Sequence, residues 1–93
     1  MISIDLKTPN EINLGIAARF SAIRKRRKIS RKELARKSGV SYASLRRFEE
    51  TGEISLISLS KLAIALNLGE ELDGLFSDVP FNSIEEVING QSK

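Results

Sequence analysis

An all-α fold of five short helices, flanked by an N-terminal arm and a C-terminal tail, is what this sequence predicts. Three observations carry that prediction. Apolar residues recur at three- and four-residue spacing in successive short segments. Serines able to cap a helix stand before three of these segments, at Ser30, Ser41 and Ser55, and glycines able to end one follow at Gly39 and Gly52. Period-two alternation, the mark of a strand, is confined to "ISIDL" near the N-terminus. A chain of 93 residues holds one domain with a modest core. The expected organisation is an arm over 1–13, a helical domain over 14–77 and a tail over 78–93.

In the arm, Ile2, Ile4 and Leu6 give a weak strand signal that Thr8-Pro9-Asn10 closes. A first helix is expected from Leu14 to about Lys28, because Ile16, Phe20, Ile23 and Arg27 fall on one stripe. Ser30 with Glu33 has the spacing of a capping box and starts a second helix, with Leu34 and Ala35 inward, that Gly39 stops. Ser41 caps a third helix to about Glu50, stopped by Thr51-Gly52. Gly39 to Ser41 is therefore a three-residue turn between the second and third helices. The fourth follows Ser55, with Leu56, Leu59, Leu62, Ala63 and Leu66 inward, and a short fifth covers Glu70 to Phe76. Beyond Pro80, Ser83 with Glu86 forms another capping-box pattern, and Ile84, Val87 and Ile88 share one side.

Composition narrows the function. There is no Cys and no His, which removes disulfides, thiolate chemistry, imidazole bases and the usual zinc ligands. Glu70, Glu71 and Asp73 are better read as charges favoured at a helix start than as metal ligands or catalytic carboxylates. No catalytic residue, metal or cofactor is expected, and hence no enzyme. No apolar run approaches the roughly 18 to 20 residues of a membrane span, and the N-terminus lacks the basic lead of a secretory signal, so the cytoplasm is the expected compartment. The net charge of +3 conceals an asymmetry. Residues 19–47 hold twelve Lys and Arg against the lone Glu33, whereas residues 48–93 hold nine acids against Lys61 and Lys93. A concentrated positive half is the footprint of a polyanion partner, phosphate backbones first among them.

A helix, a three-residue turn with glycine and a second helix form the geometry in which the second helix projects from the surface. At ~100° per residue, placing Leu45 at the centre of the buried face of the third helix brings Ser41, Phe48 and Glu49 to that side. Ala43 and Arg47 then point outward, flanked by Arg46 and Glu50, with Tyr42 and Ser44 on the shoulders. A small residue beside long donors suits a groove, since Ala43 permits close approach and an arginine can bond guanine O6 and N7 together.

The stretch "ISRKELARKSGVSYASLRRFEETGEISLISLSKLAIALNL" resembles the helix-turn-helix domain of phage Cro and repressor proteins, the XRE type. The signature is the spacing of Leu34, Ala35, Gly39, Val40, Ser41, Leu45, Phe48 and Glu49, then Gly52, Leu59, Ala63 and Leu66. The resemblance implies a lambda-repressor-like five-helix domain that binds double-stranded DNA as a homodimer on a palindromic operator and represses transcription. It marks Tyr42, Ala43, Ser44, Arg46 and Arg47 as base-contacting positions. Arg31, Lys32, Ser41, Lys25 and Arg26 become phosphate contacts, and Arg24 with Glu49 becomes a partly buried structural salt bridge. Family members often carry a basic or amide residue after the third helix, where this chain has Glu50 and Thr51. "SLRRFEETGEISLISLSKLAIAL", followed by "LF" and "SIEEV", is similar to the Hip-type antitoxins that accompany kinase-like HipA toxins. That narrower resemblance implies toxin binding and autorepression in one chain; the alternative is a stand-alone phage-type or housekeeping regulator.

Overall fold

The computed structural model describes residues 6 to 78. They form α1 (Pro9–Arg26), α2 (Arg31–Ser38), α3 (Tyr42–Thr51), α4 (Leu56–Ala65) and α5 (Gly69–Asp73), with no strand among the described residues. The architecture is the expected all-α one. The strand signal at Ile2 and Ile4 and the Ser83–Glu86 capping pattern lie outside the described residues.

Helix starts follow local chemistry closely. Ser30, Ser41 and Ser55 are extended, and each accepts the N–H three residues on, from Glu33, Ser44 and Ser58, at 3.0, 3.0 and 3.1 Å. Only half of the expected Ser30 capping box forms, because the Glu33 carboxylate pairs with Arg36 at 2.6 Å instead of reaching back. The complete box is at Thr8, whose Oγ1 accepts from the Glu11 N–H at 3.1 Å while Glu11 Oε1 accepts from the Thr8 N–H at 2.9 Å. With Pro9 preset for a first helical position, α1 begins at Pro9 rather than at Leu14. It ends at Arg26, before the expected Lys28, which turns left-handed at φ 59°. Helix α5 is likewise shorter than the expected Glu70 to Phe76, stopping at Asp73.

Helix α1 packs on α3, α2 packs on both α3 and α4, and α4 packs on α5. The core between them is Ala17, Phe20, Leu34, Val40, Leu45, Phe48, Leu62 and Leu66. Burying each large side chain stabilises the fold by about 1.5 to 3 kcal/mol. Phe20 and Phe48 meet edge to face, with ring centroids 5.6 Å apart. Leu56, expected inward, is instead 68% exposed. Helix α4 is apolar on nearly every side, and tertiary packing selects Leu62 and Ala63 while leaving Leu56, Ile57 and Ile64 outside.

The glycines that stop α2 and α3 are both left-handed, Gly39 at φ 80° and Gly52 at φ 82°. Their surroundings differ. A Cβ on Gly39 would meet nothing within 4 Å, whereas one on Gly52 would come within 2.9 Å of Asn13. The C-terminal end of α3 is thus pressed onto the first turns of α1, which fixes the pitch of α3 against the body.

Candidate nucleic-acid interface

Helix α3 has two chemically distinct sides. Leu45 and Phe48 are fully buried beneath it, and Glu49 lies beside them with a side chain only 1% exposed. A carboxylate so placed requires partners, since burial alone destabilises its charge. Arg24 of α1 donates through Nε to Oε2 at 2.7 Å and through Nη2 to Oε1 at 2.9 Å, a two-pronged pair. Arg31 at the start of α2 donates through Nε to Oε1 at 2.8 Å, and Ser21 Oγ adds a long contact at 3.4 Å. Arg24 also donates through Nη1 to the Ile29 carbonyl at 2.8 Å. Burial pushes the Glu49 carboxyl up, but the guanidinium hydrogen bonds of Arg24 and Arg31 outweigh it and hold the group below its ordinary value. Arg31 is raised by the same hydrogen bond to Glu49. One carboxylate therefore joins three helices.

Arg31 has two roles within reach. Sequence marked it as a phosphate contact, and the structure gives its Nε to Glu49 while its side chain stays 28% exposed. Its Nη groups have no carboxylate partner among the described residues, and a hydrogen bond with the Tyr42 side chain raises the guanidinium further. Lys25, Arg26 and Lys32 are exposed and enter no ion pair among the described residues. Ser41 is committed first to capping α3, and its hydroxyl lies 2.9 Å from Ser44 Oγ.

Tyr42, Ala43, Ser44, Arg46 and Arg47 are all exposed on α3. The two arginines are not idle. Arg46 Nε donates to Glu50 Oε2 at 3.0 Å, one helical turn on, which raises the guanidinium pKa. Arg47 donates through Nη2 to Glu53, just past the Gly52 stop. Thr51 sets up this second pair: its hydroxyl donates to the Arg47 carbonyl at 2.7 Å and accepts the Glu53 N–H at 3.2 Å. Sequence reading left Glu50 without a role, used Thr51 only as part of the helix stop, and did not single out Glu53. The four-residue step from Arg46 to Glu50 was a usable signal, but the Arg47–Glu53 contact crosses a left-handed turn and has no periodic signature.

The outer side of α3 carries a small residue, a tyrosine and two arginines, and Lys25, Arg26 and Lys32 are exposed on α1 and α2. Together they can supply hydrogen-bond forks to base edges and separate cations to phosphates. A family model described as helix-turn-helix, HTH_3, matches residues 21–72. No curated protein and no solved structure matches the chain. No described helix is long and apolar enough to cross a membrane.

Proposed function

The chain belongs to the XRE-type helix-turn-helix family of DNA-binding regulators, and from that premise we propose that it is a sequence-specific transcriptional repressor acting as a dimer on a palindromic operator. The observation that carries this reading is the division of α3, with Leu45, Phe48 and Glu49 locked to the body and Tyr42, Ala43, Ser44, Arg46 and Arg47 outside. A reading helix must be rigidly seated before its outer side chains can discriminate bases. Lys25, Arg26, Lys32, Ser41 and Arg31 bind phosphate and set the register; Arg46 and Arg47 bond guanine edges; Ala43 admits the helix closely to the groove. One helix reads only a few base pairs, so two copies bind half-sites about one helical turn, ~34 to 36 Å, apart. The exposed apolar side chains Leu56, Ile57, Ile64, Leu75 and Phe76, on α4 and after α5, support a self-association surface.

The test is duplex binding across a salt series. Arg47→Ala is expected to weaken a preferred site more than random duplex, whereas Lys25→Ala weakens both alike and lowers the salt slope by about 1. Equal losses on both duplexes for both variants would remove Arg47 from base reading. A protein that binds as a monomer and ignores operator symmetry would end the dimer proposal.

Within this reading, the chain acts as the antitoxin and autorepressor of a HipA-like kinase toxin. The supporting observation is the resemblance running from Ser44 through Leu66, together with nine acids after residue 47 that suit a basic partner. Co-purification with a kinase-fold protein encoded beside it is the expected result; a neighbouring gene of another kind leaves a stand-alone regulator.

A further inference from the structure

The two outer arginines of α3 are held by carboxylates in different ways. Arginine carries five N–H donors, one on Nε and two on each Nη. Glu50 takes Arg46 at Nε, 3.0 Å away, and neither Nη of Arg46 has a partner among the described residues. The terminal fork, which bonds guanine O6 and N7 together, is therefore left whole. Glu53 takes Arg47 at Nη2, so one prong of that fork is already occupied. The Thr51 hydroxyl, joining the Arg47 carbonyl to the Glu53 N–H, holds the occupying residue in place.

We infer that Glu50 is a positioning residue for base recognition, bracing Arg46 at Nε so that its Nη fork is presented to a guanine. The inference rests on the reading that α3 enters the major groove. Bracing removes rotamer freedom before binding instead of during it, which is how preorganisation favours a contact. The Glu50 carboxylate, itself half exposed, also repels phosphate from the flank of Arg46. Arg46 is thereby kept from the sequence-blind contacts that a loose arginine makes with the backbone. Arg47, by contrast, must exchange Glu53 for DNA. Of the two arginines, Arg46 is the one preset for base reading.

Selection from a randomised duplex pool tests this with the full chain and its Arg46→Ala, Glu50→Ala, Glu50→Gln and Glu53→Ala variants. The wild type is expected to select a guanine that Arg46→Ala no longer selects. Glu50→Ala is expected to lower the preference for that same guanine by about two- to fivefold, the range an exposed ion pair supports. It also binds random duplex more tightly. Glu50→Gln keeps an oxygen that can accept from Nε and retains more of the preference than Ala does. Glu53→Ala leaves that guanine in place. If Glu50→Ala leaves the selected motif unchanged, or loses a different base from Arg46→Ala, the inference is overturned while the repressor reading stands. Wild-type protein that binds duplex without selecting any motif overturns both. Circular dichroism of Glu50→Ala matching the wild type excludes a folding defect as the cause.

Discussion

Glu49 and Glu50 are consecutive residues of the same helix, both salt-bridged to arginine, and they do opposite work. A single step along the helix rotates the side chain by ~100°. That step takes the carboxylate from 1% exposed to 51%. Glu49 is out of water, and only several charged donors converging on it offset its desolvation. It receives them from α1 and α2, and no buried side-chain polar atom among the described residues lacks a partner. Glu50 is hydrated and needs no partner, so its ion pair with Arg46 adds little to folding. The lesson is that the same pair of residue types weighs differently on folding according to solvent. Where water is excluded the pair cannot be broken without stranding a charge; where water is present, breaking it strands nothing.

The largest break in this comparison is Glu49→Ala. It strands the guanidiniums of Arg24 and Arg31 and is expected to destabilise by about 3 to 5 kcal/mol in urea unfolding. Glu50→Ala is expected to move the thermal midpoint by less than about 4 °C. Similar losses for both would erase the distinction. The helix stops sharpen it next. Gly52→Ala adds a Cβ 2.9 Å from Asn13 to a left-handed backbone and is expected to cost about 2 to 4 kcal/mol. Gly39→Ala meets open space and carries only the left-handed penalty of about 1 kcal/mol. If the two alanine variants unfold at the same urea concentration, α3 is not pinned at its C-terminal end.

A third, smaller effect concerns acid. The folded Glu49 carboxyl titrates below its ordinary value of 4.5, so the unfolded chain binds the proton more readily. Its contribution is complete above pH 4.5 and is lost as pH falls through the lower folded value. Unfolding measured down through that window should fall less steeply for Glu49→Gln than for the wild type. Parallel slopes for the two proteins would show that Glu49 is not the acid-sensitive group.

Helix starts and stops were readable in the sequence wherever one residue sets them, as Ser30, Ser41, Ser55, Gly39 and Gly52 do. The start of α1 was present but misread: Thr8-Pro9-Asn10 has turn composition, and Glu11 three residues after Thr8 is what makes it a cap. Leu56 could not be placed from pattern, because an amphipathic argument needs a polar side and α4 hardly has one. In the candidate site, phase alone put Arg46 and Arg47 outward and Glu49 inward. The second guanidinium on Glu49, from Arg31, comes from another helix, and periodicity within one helix says nothing about its neighbour.

The Glu49 cluster also bears on how fast the chain folds and unfolds. Its bonds join residues 18, 25 and 28 positions apart, whereas the backbone bonds within each helix join residues four apart. Such loops lose chain entropy before they return any interaction, which places them late on the folding path. A bond made after the transition state restrains escape from the native state more than arrival at it. Stopped-flow kinetics of Glu49→Ala should therefore show a faster unfolding limb over a nearly unchanged folding limb; a slowed folding limb would place the cluster in the nucleus. On this account, the ion pair beneath α3 is a latch that sets how long the outer surface of that helix stays assembled.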